Sequence, residues 1–265
     1  MATGKLTNYG ASLYLNHIWG TTAKATHAPH LGFFLSNATV NGAGSEPTSG
    51  NYQRIPMQPS DSTPASGGSI QTALDLEAGR ASGEWGRVVG GGIFDSSIGG
   101  NCLAFFEFAS DELVKKNGQL ILLAGGLIHR FVSGSWSEYL QNLILDDLYR
   151  QIPMPTFPTV YAAGYTTAAT ATGPGSEPSG NGYARVAIAN NNTNFGPTVG
   201  NIKTSAVDFE FAQAAGNWGI LTHFGFHTTA TGGTYLGGGS LNTPTEIDNL
   251  DILKLGAGTV RFELR

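Results

Sequence analysis

The chain has 265 residues and a formal net charge of −5, and charged residues make up only 12% of it. Soluble domains usually carry about 25% charged residues, so the composition favours a surface that is partly covered by neighbouring molecules. The sequence has no basic stripe, which excludes the usual nucleic-acid-binding classes. Glycine, with 38 residues, is about twice as frequent as usual and favours an all-β protein with many turns.

The chain carries one cysteine and no strongly hydrophobic segment. Cys102 lies in the apolar run NCLAFF, so we expect a buried thiol and no disulfide framework. The N-terminal MATGKLTNYG has no apolar signal core, and the longest apolar run, near 120–128, is far shorter than the roughly 20 residues that span a membrane. We therefore expect synthesis in the cytoplasm and no membrane insertion.

The first predicted element is a short amphipathic helix, and it recurs at the start of the second half. Its sequence is LTNYGASLYLNHIW in the first half and WSEYLQNLILDDLY in the second. In the second copy Tyr139, Leu143 and Leu148 recur at helical spacing, and Ser137 is suited to the N-cap.

Strands and turns follow each helix in the same order. A Pro-rich connector leads to the strand HLGFFLS or TVYAAGY, and a Gly/Ser/Pro turn leads to YQRIPM or YARVAI. In this turn Gly50 or Gly180 can take a positive φ. A polar loop precedes ALDLE or AVDFEFA, a Trp-Gly turn opens EWGRVVGGGIFD or NWGILTHFGFH, and a Gly-Gly turn begins the last hairpin. Six or seven short strands bounded by turns predict an antiparallel β-sandwich or flattened barrel.

The shared landmarks indicate that one unit is written twice. GSEPTSGNYQRI in the first half corresponds to GSEPSGNGYARV in the second, and RF at 130–131 is matched to RF at 261–262. We place the boundary near Val132-Ser133-Gly134. This predicts two β-domains, 1–132 and 133–265, each with a leading helix.

Three residue types recur at equivalent places and are the candidate structural or interface residues. They are Tyr52, Arg54 and Trp85 in the first copy and Tyr183, Arg185 and Trp218 in the second. Tyr and Arg two residues apart on a strand face the same side. We interpret them as structural residues and the tryptophans as core anchors. The alternatives are a contact pair at a subunit interface, where Tyr and Arg are enriched, and a sugar-stacking tryptophan.

The sequence gives no signal for catalysis, a cofactor or a metal. His223 and His227 share a strand face but lie about 13 Å apart along a strand, which is too far for one metal ion. Asp146-Asp147 is assigned to the polar face of a helix, and Asp208 and Glu210 to one strand face. No G-x-S-x-G elbow or Walker lysine occurs. We therefore predict a protein that is not an enzyme.

The second copy carries a recognisable pattern, GSEPSGNGYAR at 175–185 and WGILTHFGFH at 218–227. With the leading helix and the Gly-Gly hairpin, it resembles the small bacteriophage proteins commonly labelled phage tail fibre protein. The first copy departs from the pattern, because WGRVVGGGIFD at 85–95 lacks the Thr-His-Phe. The resemblance covers nearly the whole chain as two tandem units and implies a structural protein of the virion.

The resemblance implies a tail- or fibre-associated protein that acts in particle assembly and host attachment. Its expected partners are other phage structural proteins of the tail or capsid, copies of itself as a homo-oligomer, and a host surface glycan. One alternative is a capsid decoration or cement protein that stabilises the head shell. Another is a carbohydrate-binding module that would use exposed aromatic side chains such as Tyr161, Tyr165, Trp136 or Tyr235.

Overall fold

A computed structural model describes residues 1–20, 22–131 and 136–265. It is mainly β, with 38% strand and 10% helix, which confirms the predicted fold class. The predicted boundary at Val132-Ser133-Gly134 lies outside the described residues, so the division into two domains stays a prediction. We call the described residues up to 131 the first unit and those from 136 onward the second unit.

From the helix onward the strands follow the same order in both units, and the described first unit has in addition a strand before the helix and a 3₁₀ turn. The first unit contains β1 (Ala2–Leu6), α1 (Asn8–Ile18), β2 (His30–Phe34), β3 (Ile55–Pro56), a 3₁₀ turn (Pro59–Asp61), β4 (Ser69–Gln71), β5 (Leu76–Glu77), β6 (Gly86–Phe94), β7 (Cys102–Val114), β8 (Ile121–Leu122) and β9 (Leu127–Arg130). The second unit contains α2 (Glu138–Arg150), β10 (Thr159–Tyr165), β11 (Val186–Ala189), β12 (Ile202–Thr204), β13 (Phe209–Glu210), β14 (Gly219–His227), β15 (Tyr235–Ile247), β16 (Lys254–Leu255) and β17 (Arg261–Glu263).

A curled sheet forms the body of the first unit. Its seven strands run in the order β3-β2-β6-β7-β1-β9-β4 and make a half-barrel. Strand β1 pairs antiparallel with β7 and parallel with β9. The sequence analysis did not anticipate β1, because it assigned the first element to the helix. In the second unit the corresponding core sheet has the order β11-β10-β14-β15, and β12 pairs with β17.

Strand pairing corrects one of the sequence landmarks. Ile70 of β4 lies opposite His129 of β9, and Lys203 of β12 lies opposite Phe262 of β17. His129 and Phe262 therefore occupy equivalent places in the two units. The match of the two Arg-Phe pairs was wrong by two residues. That match aligned identical residue types, whereas the pairing of the strands aligns His129 with Phe262.

Helix α2 begins as the sequence predicts but presents a different face. The Ser137 hydroxyl accepts a hydrogen bond from the Leu140 amide at 3.2 Å, which confirms the N-cap. Leu148 is fully buried, but Tyr139 is 40% exposed and Leu143 is only partly buried. Tyr139 therefore lies outside the buried face, whereas Leu143 packs against the core from its edge. The helix turns Leu140 and its neighbours inward instead, because it packs against both units.

The two helices lie between the units and make reciprocal contacts. Helix α1 packs on β7 of its own unit and on β12 of the other, whereas α2 packs on β15 of its own unit and on β4 of the other. Since β4 and β12 are equivalent strands, the contact repeats itself about an approximate two-fold axis, as in an isologous dimer. Two linked units thus share one apolar core.

The free cysteine lies where the sequence predicts, inside the apolar core. Cys102 is 7% exposed and its thiol donates to the Ala104 carbonyl at 3.2 Å. Burial raises the pKa of this thiol to about 12. The thiol therefore stays protonated at neutral pH and lacks the thiolate form that nucleophilic cysteines need.

Candidate functional site: turn clips and the interface between the units

Two of the predicted residues in the first unit meet at one carboxylate that the sequence analysis left out, and the third packs against one of them. The Tyr52 hydroxyl donates to Glu46 Oε1 at 2.7 Å. Arg54 donates to the same carboxylate from Nε at 3.0 Å and from Nη2 at 2.6 Å. Trp85 meets the Tyr52 ring edge-on, with ring centroids 5.2 Å apart. We call Glu46, Tyr52, Arg54 and Trp85 the first turn clip.

The first turn clip joins two turns that are distant in the sequence. Arg54 Nη1 donates to the Ser96 and Gly99 carbonyls at 2.7 and 2.6 Å, so one guanidinium holds the GSEP turn against the Gly-Gly turn. Trp85 Nε1 donates to the Gly50 carbonyl at 3.0 Å. Gly50 has a φ of 67°, the left-handed conformation that the sequence predicts for this glycine. The Arg54 side chain is only 7% exposed.

The second unit repeats the arrangement with Glu177, Tyr183, Arg185 and Trp218, which we call the second turn clip. Tyr183 donates to Glu177 at 2.9 Å, and Arg185 Nη2 donates to it at 2.6 Å. Arg185 Nη1 reaches the two carbonyls of the opposite turn, and the Tyr183 and Trp218 rings again lie 5.2 Å apart. Burial raises the pKa of Glu177, but the hydrogen bonds from Arg185 and Tyr183 outweigh it, so the pKa is lowered overall.

All six predicted residues therefore make internal contacts in one of the two turn clips. Each clip is a charge-assisted, bidentate Arg–carboxylate contact of the strong kind. The missed carboxylates, Glu46 and Glu177, were visible in the sequence as the only acidic residue of each GSEP turn. Contact of these clips with another subunit stays a prediction.

Trp19, which follows α1, closes the core of the second unit. Its ring stacks on Phe262 with centroids 3.9 Å apart at 16°. Phe195 and Phe226 of the second unit lie 5.4 and 5.1 Å away. Trp19 is fully buried, so the first unit supplies an aromatic residue to the core of the second.

Tyr149, near the end of α2, makes the reciprocal contact with the first unit. Its hydroxyl lies 3.0 Å from Nδ1 of His129, and the two rings meet edge-on. Tyr149 is 2% exposed. Tyr149 and Trp19 hold the same position in the aligned helix sequences. We call these two side chains the reciprocal plugs, since each fills the core of the other unit.

Buried charges also lie between the units. Lys24 Nζ is 2.8 Å from Asp147 Oδ2, and the two side chains are 3% and 6% exposed. The solvated position predicted for Asp147 was therefore wrong, because the loop after α1 covers that side of α2. Asp146 does keep partial exposure and pairs with Arg150 at 2.9 Å. The fully buried Lys203 donates to Asn16 at 2.9 Å.

The two histidines of β14 have separate environments. His227 is 1% exposed and its Nε2 lies 2.6 Å from the Tyr165 hydroxyl. Burial, and then the charge of Arg185, lower the pKa of His227 to about 4. His223 contacts the Thr222 hydroxyl instead. Within residues 1–20, 22–131 and 136–265, no three His, Cys, Asp or Glu side chains form a group that could hold a metal ion.

A groove of about 1040 Å³ runs beside β1 and β17. Its titratable side chains are the basic Lys5, Arg130, Arg261 and Arg265 and one carboxylate, Glu263. Arg261 pairs with Glu263 at 3.0 Å, and Arg265 contacts the same carboxylate. Burial raises the pKa of Glu263, but the pairing with Arg265 and Arg261 lowers it overall. The lining thus offers a single, fully paired carboxylate, whereas a glycosidase needs two across a cleft.

The aromatic residues proposed for sugar stacking are mostly inside the protein. Tyr165 is fully buried, Trp136 is 6% exposed and Tyr235 is 8% exposed. Only Tyr161 is half-buried. The prediction that these four are exposed was wrong for three of them. Trp136 packs against Trp19 and Phe262. Tyr165 and Tyr235 pack against each other and against His227. Most of the aromatic side chains that a carbohydrate-binding module would use for stacking on a sugar are therefore inaccessible.

Two repeated β-units, joined by aromatic plugs and buried charges, define a structural protein built from tandem β-domains. The family model described as podophage GP4 fiber I protein gp80 matches the chain twice, over residues 5–130 and 135–263. The chain belongs to this family of phage fibre proteins, which confirms the resemblance and the tandem copies. A search of curated proteins gives no match. Neither α1 nor α2 is long and apolar enough to cross a membrane.

Proposed function

We propose that the chain is a non-enzymatic building block of a phage fibre, which acts in particle assembly through contacts with other virion proteins and with copies of itself. Family membership supports the place in the fibre. The reciprocal plugs are the observation that supports the role in assembly. Trp19 and Tyr149 bury each unit against the other, so the chain behaves as one block.

Apolar side chains on outer loops provide the contacts for assembly. They are among the most exposed large hydrophobic residues of the described chain: Ile98 at 87%, Val199 at 75%, Leu250 at 64% and Leu123 at 60%. They lie in both units, so a block can contact neighbours on two sides. A protein with 12% charged residues retains little electrostatic repulsion between such surfaces. These features support a homo-oligomer or a repeated position along the fibre.

Host attachment is the second part of the proposal. A fibre subunit presents its loops outward, and loops on a rigid scaffold are where binding functions concentrate. The candidate receptor is a surface glycan of the host, bound by polar loop residues rather than by the buried aromatic side chains described above.

Mass spectrometry and cryo-microscopy of purified particles test the assembly role. We expect the chain among the virion proteins, with density at the tail fibres in several copies per fibre. Density on the head shell would replace the proposal with capsid decoration. Absence from the particle, together with sugar binding in solution, would replace it with a carbohydrate-binding module.

Competition for adsorption tests the attachment role separately. Added in excess, the purified chain should slow adsorption of the phage to its host, and a denatured sample should not. Unchanged adsorption would leave assembly as the function and remove attachment from the proposal.

A further inference from the structure

A lysine and an aspartate meet in a water-excluded site between the two units. Lys24 Nζ and Asp147 Oδ2 are 2.8 Å apart, and both side chains are almost completely covered. Within such a pair, transfer of one proton from the ammonium to the carboxylate gives a neutral amine and a neutral carboxylic acid. Those neutral forms are the reactants for an amide bond.

Two further side chains are placed to move protons at this site. His27 Nδ1 lies 2.8 Å from Lys24 Nζ. Burial, and then the charge of Lys24, lower the pKa of His27, so its ring is neutral and able to accept a proton. The Tyr14 hydroxyl donates to Asp147 Oδ2 at 2.7 Å. Burial, and then Asp147, raise the pKa of Tyr14, so it keeps the proton that polarises the carboxyl group.

We propose that Lys24 and Asp147 join in an intramolecular isopeptide bond that links the loop after α1 to α2. Lys24 Nζ attacks Asp147 Cγ, and an N–C bond forms while a C–O bond breaks. His27 takes the proton from the attacking nitrogen and returns it to the departing oxygen, and Tyr14 stabilises the negative charge that develops on the carboxyl oxygen. The ammonium and carboxylate give one amide and one water molecule, so charge and atoms balance without another reactant.

The geometry lies close to that needed for attack. The carboxyl carbon is one C–O bond away from Asp147 Oδ2, the oxygen that Nζ contacts at 2.8 Å. Attack needs about 3–3.5 Å between the nitrogen and that carbon, which a small displacement of the Lys24 side chain toward the face of the carboxyl group would provide. Both side chains are fixed by their neighbours, since Tyr14 holds the carboxylate and His27 holds the amine. This pre-organisation replaces the activation that amide formation needs in water.

Other lysine contacts in the chain lack part of this arrangement. Lys254 is 2.6 Å from Asp208, but the side chains are 50% and 42% exposed, so water keeps both charged. Lys203 is buried and contacts the Asn16 amide oxygen, which also accepts from the Thr198 hydroxyl, but among the described hydrogen bonds of this pair none involves an imidazole or a phenol that could move the protons. In the aligned helices His17 occupies the place of Asp147. We therefore expect one isopeptide bond per chain.

The mass of the denatured wild-type chain decides the proposal. We expect an intact mass lower than the sequence mass by one water molecule, after any N-terminal processing is accounted for. Tandem mass spectrometry of a digest should show a branched peptide that contains Lys24 and Asp147. A full sequence mass with two separate linear peptides would reduce the site to an ion pair and overturn the proposal. The outcome does not depend on the function proposed above.

Variants assign the bond to these residues. Lys24→Arg keeps the positive charge but offers a guanidinium, which is a poor nucleophile, so the full mass should return. Asp147→Asn should release ammonia instead of water if it reacts. The exposed control Lys254→Arg should keep the loss of water. His27→Gln should leave a mixture of linked and unlinked chains that converts slowly with time. A loss of water that persists in Lys24→Arg would also overturn the assignment.

Discussion

The turn clips consist of the same residue types in both units, whereas the residues at the helix interface differ between the units. In the clips Glu46, Tyr52 and Arg54 are repeated as Glu177, Tyr183 and Arg185 with nearly the same distances. At the interface the equivalent places are filled by different residue types. The difference shows that each unit needs its own clip, whereas the interface is formed only once and each side can adapt to the other.

Two pairs of equivalent positions at the interface illustrate this divergence: His129 and Phe262, and Ile70 and Lys203. A third pair that differs, Phe94 and His227, lies beside the turn clips, where Arg54 stacks on the Phe94 ring. In a true homodimer both members of each pair would be the same residue, because every contact of residue i with residue j recurs as a contact of j with i. One chain with two units has no such constraint, so the two members of each pair differ. The predictions below use these differences.

The reciprocal plugs should show the largest effect. Trp19→Ala leaves a cavity among the aromatic rings of the second unit, and we expect it to lower the free energy of unfolding by about 3–5 kcal/mol. Tyr149→Ala should cost a similar amount in the first unit. Denaturant titration measures both, and Tyr139→Ala, on the exposed side of α2, serves as the control. A decrease in the free energy of unfolding of less than about 1 kcal/mol for Trp19→Ala would contradict the conclusion that the two units share a core.

Acidification should destabilise the protein through His129 and His227, which are each only 1% exposed. Burial lowers the pKa of His129 to about 4, and His227 has a similarly lowered pKa. The unfolded chain takes up protons below about pH 6.5, where the folded chain does not. Stability is therefore full above that pH and falls progressively toward pH 4, by roughly 2–3 kcal/mol for His129.

His129→Phe and His227→Phe test that acid dependence. Phenylalanine already occupies the equivalent places as Phe262 and Phe94. Each variant should flatten the decline of the free energy of unfolding between pH 6.5 and 4.5, as measured by denaturant titration across that range. An unchanged decline in both variants would mean that other groups carry the acid sensitivity.

The turn clips should give a smaller effect of similar size in the two units. Arg54→Ala and Arg185→Ala each remove a charge-assisted contact with a carboxylate and two carbonyls, and we expect each to cost about 2 kcal/mol. Thermal or denaturant unfolding measures the loss, with the exposed Arg80→Ala as a control. Arg54 also stacks on Phe94, so a much larger cost for Arg185→Ala would contradict the view that each clip acts only within its own unit.

Lys203 should give the smallest effect, and in the opposite direction. Burial lowers the pKa of this lysine, whose contact in the other unit is the uncharged Asn16. Ile70 fills the equivalent place in the first unit. Lys203→Ile should therefore stabilise the protein by about 1 kcal/mol, since buried charges are often replaced by apolar residues with a gain. Ile70→Lys should do the reverse, and destabilisation by Lys203→Ile would contradict the reasoning.

Many local features of the fold could be predicted from short stretches of the sequence. The positive φ of Gly50 and Gly180, the N-cap Ser137 and the core strands β6 and β14 were all predicted. They depend on interactions between residues close in the chain, where turn chemistry and capping act. Strand β1 was missed because its pairing with β7 and β9 involves residues about a hundred positions away.

The candidate site was only partly visible. The sequence indicated Tyr52, Arg54 and their copies, because repetition marks them, but it did not indicate that Glu46 and Glu177 join them. The sequence did not indicate that Lys24 contacts Asp147, since the two residues lie in different units and neither residue type is repeated at the aligned position of the other copy. Comparison of the two copies identifies the residues that both units share, but it gives no information on contacts that form only between the units.

The sequence alone determined the duplication, the β class, the capped helices and the turns, because these depend on periodicity and on residues near each other in the chain. Only the tertiary structure decided which helix face is buried, which aromatic side chain fills which core and which charges lose their water. Burial depends on what packs from the other half of the chain, and no local pattern carries that information.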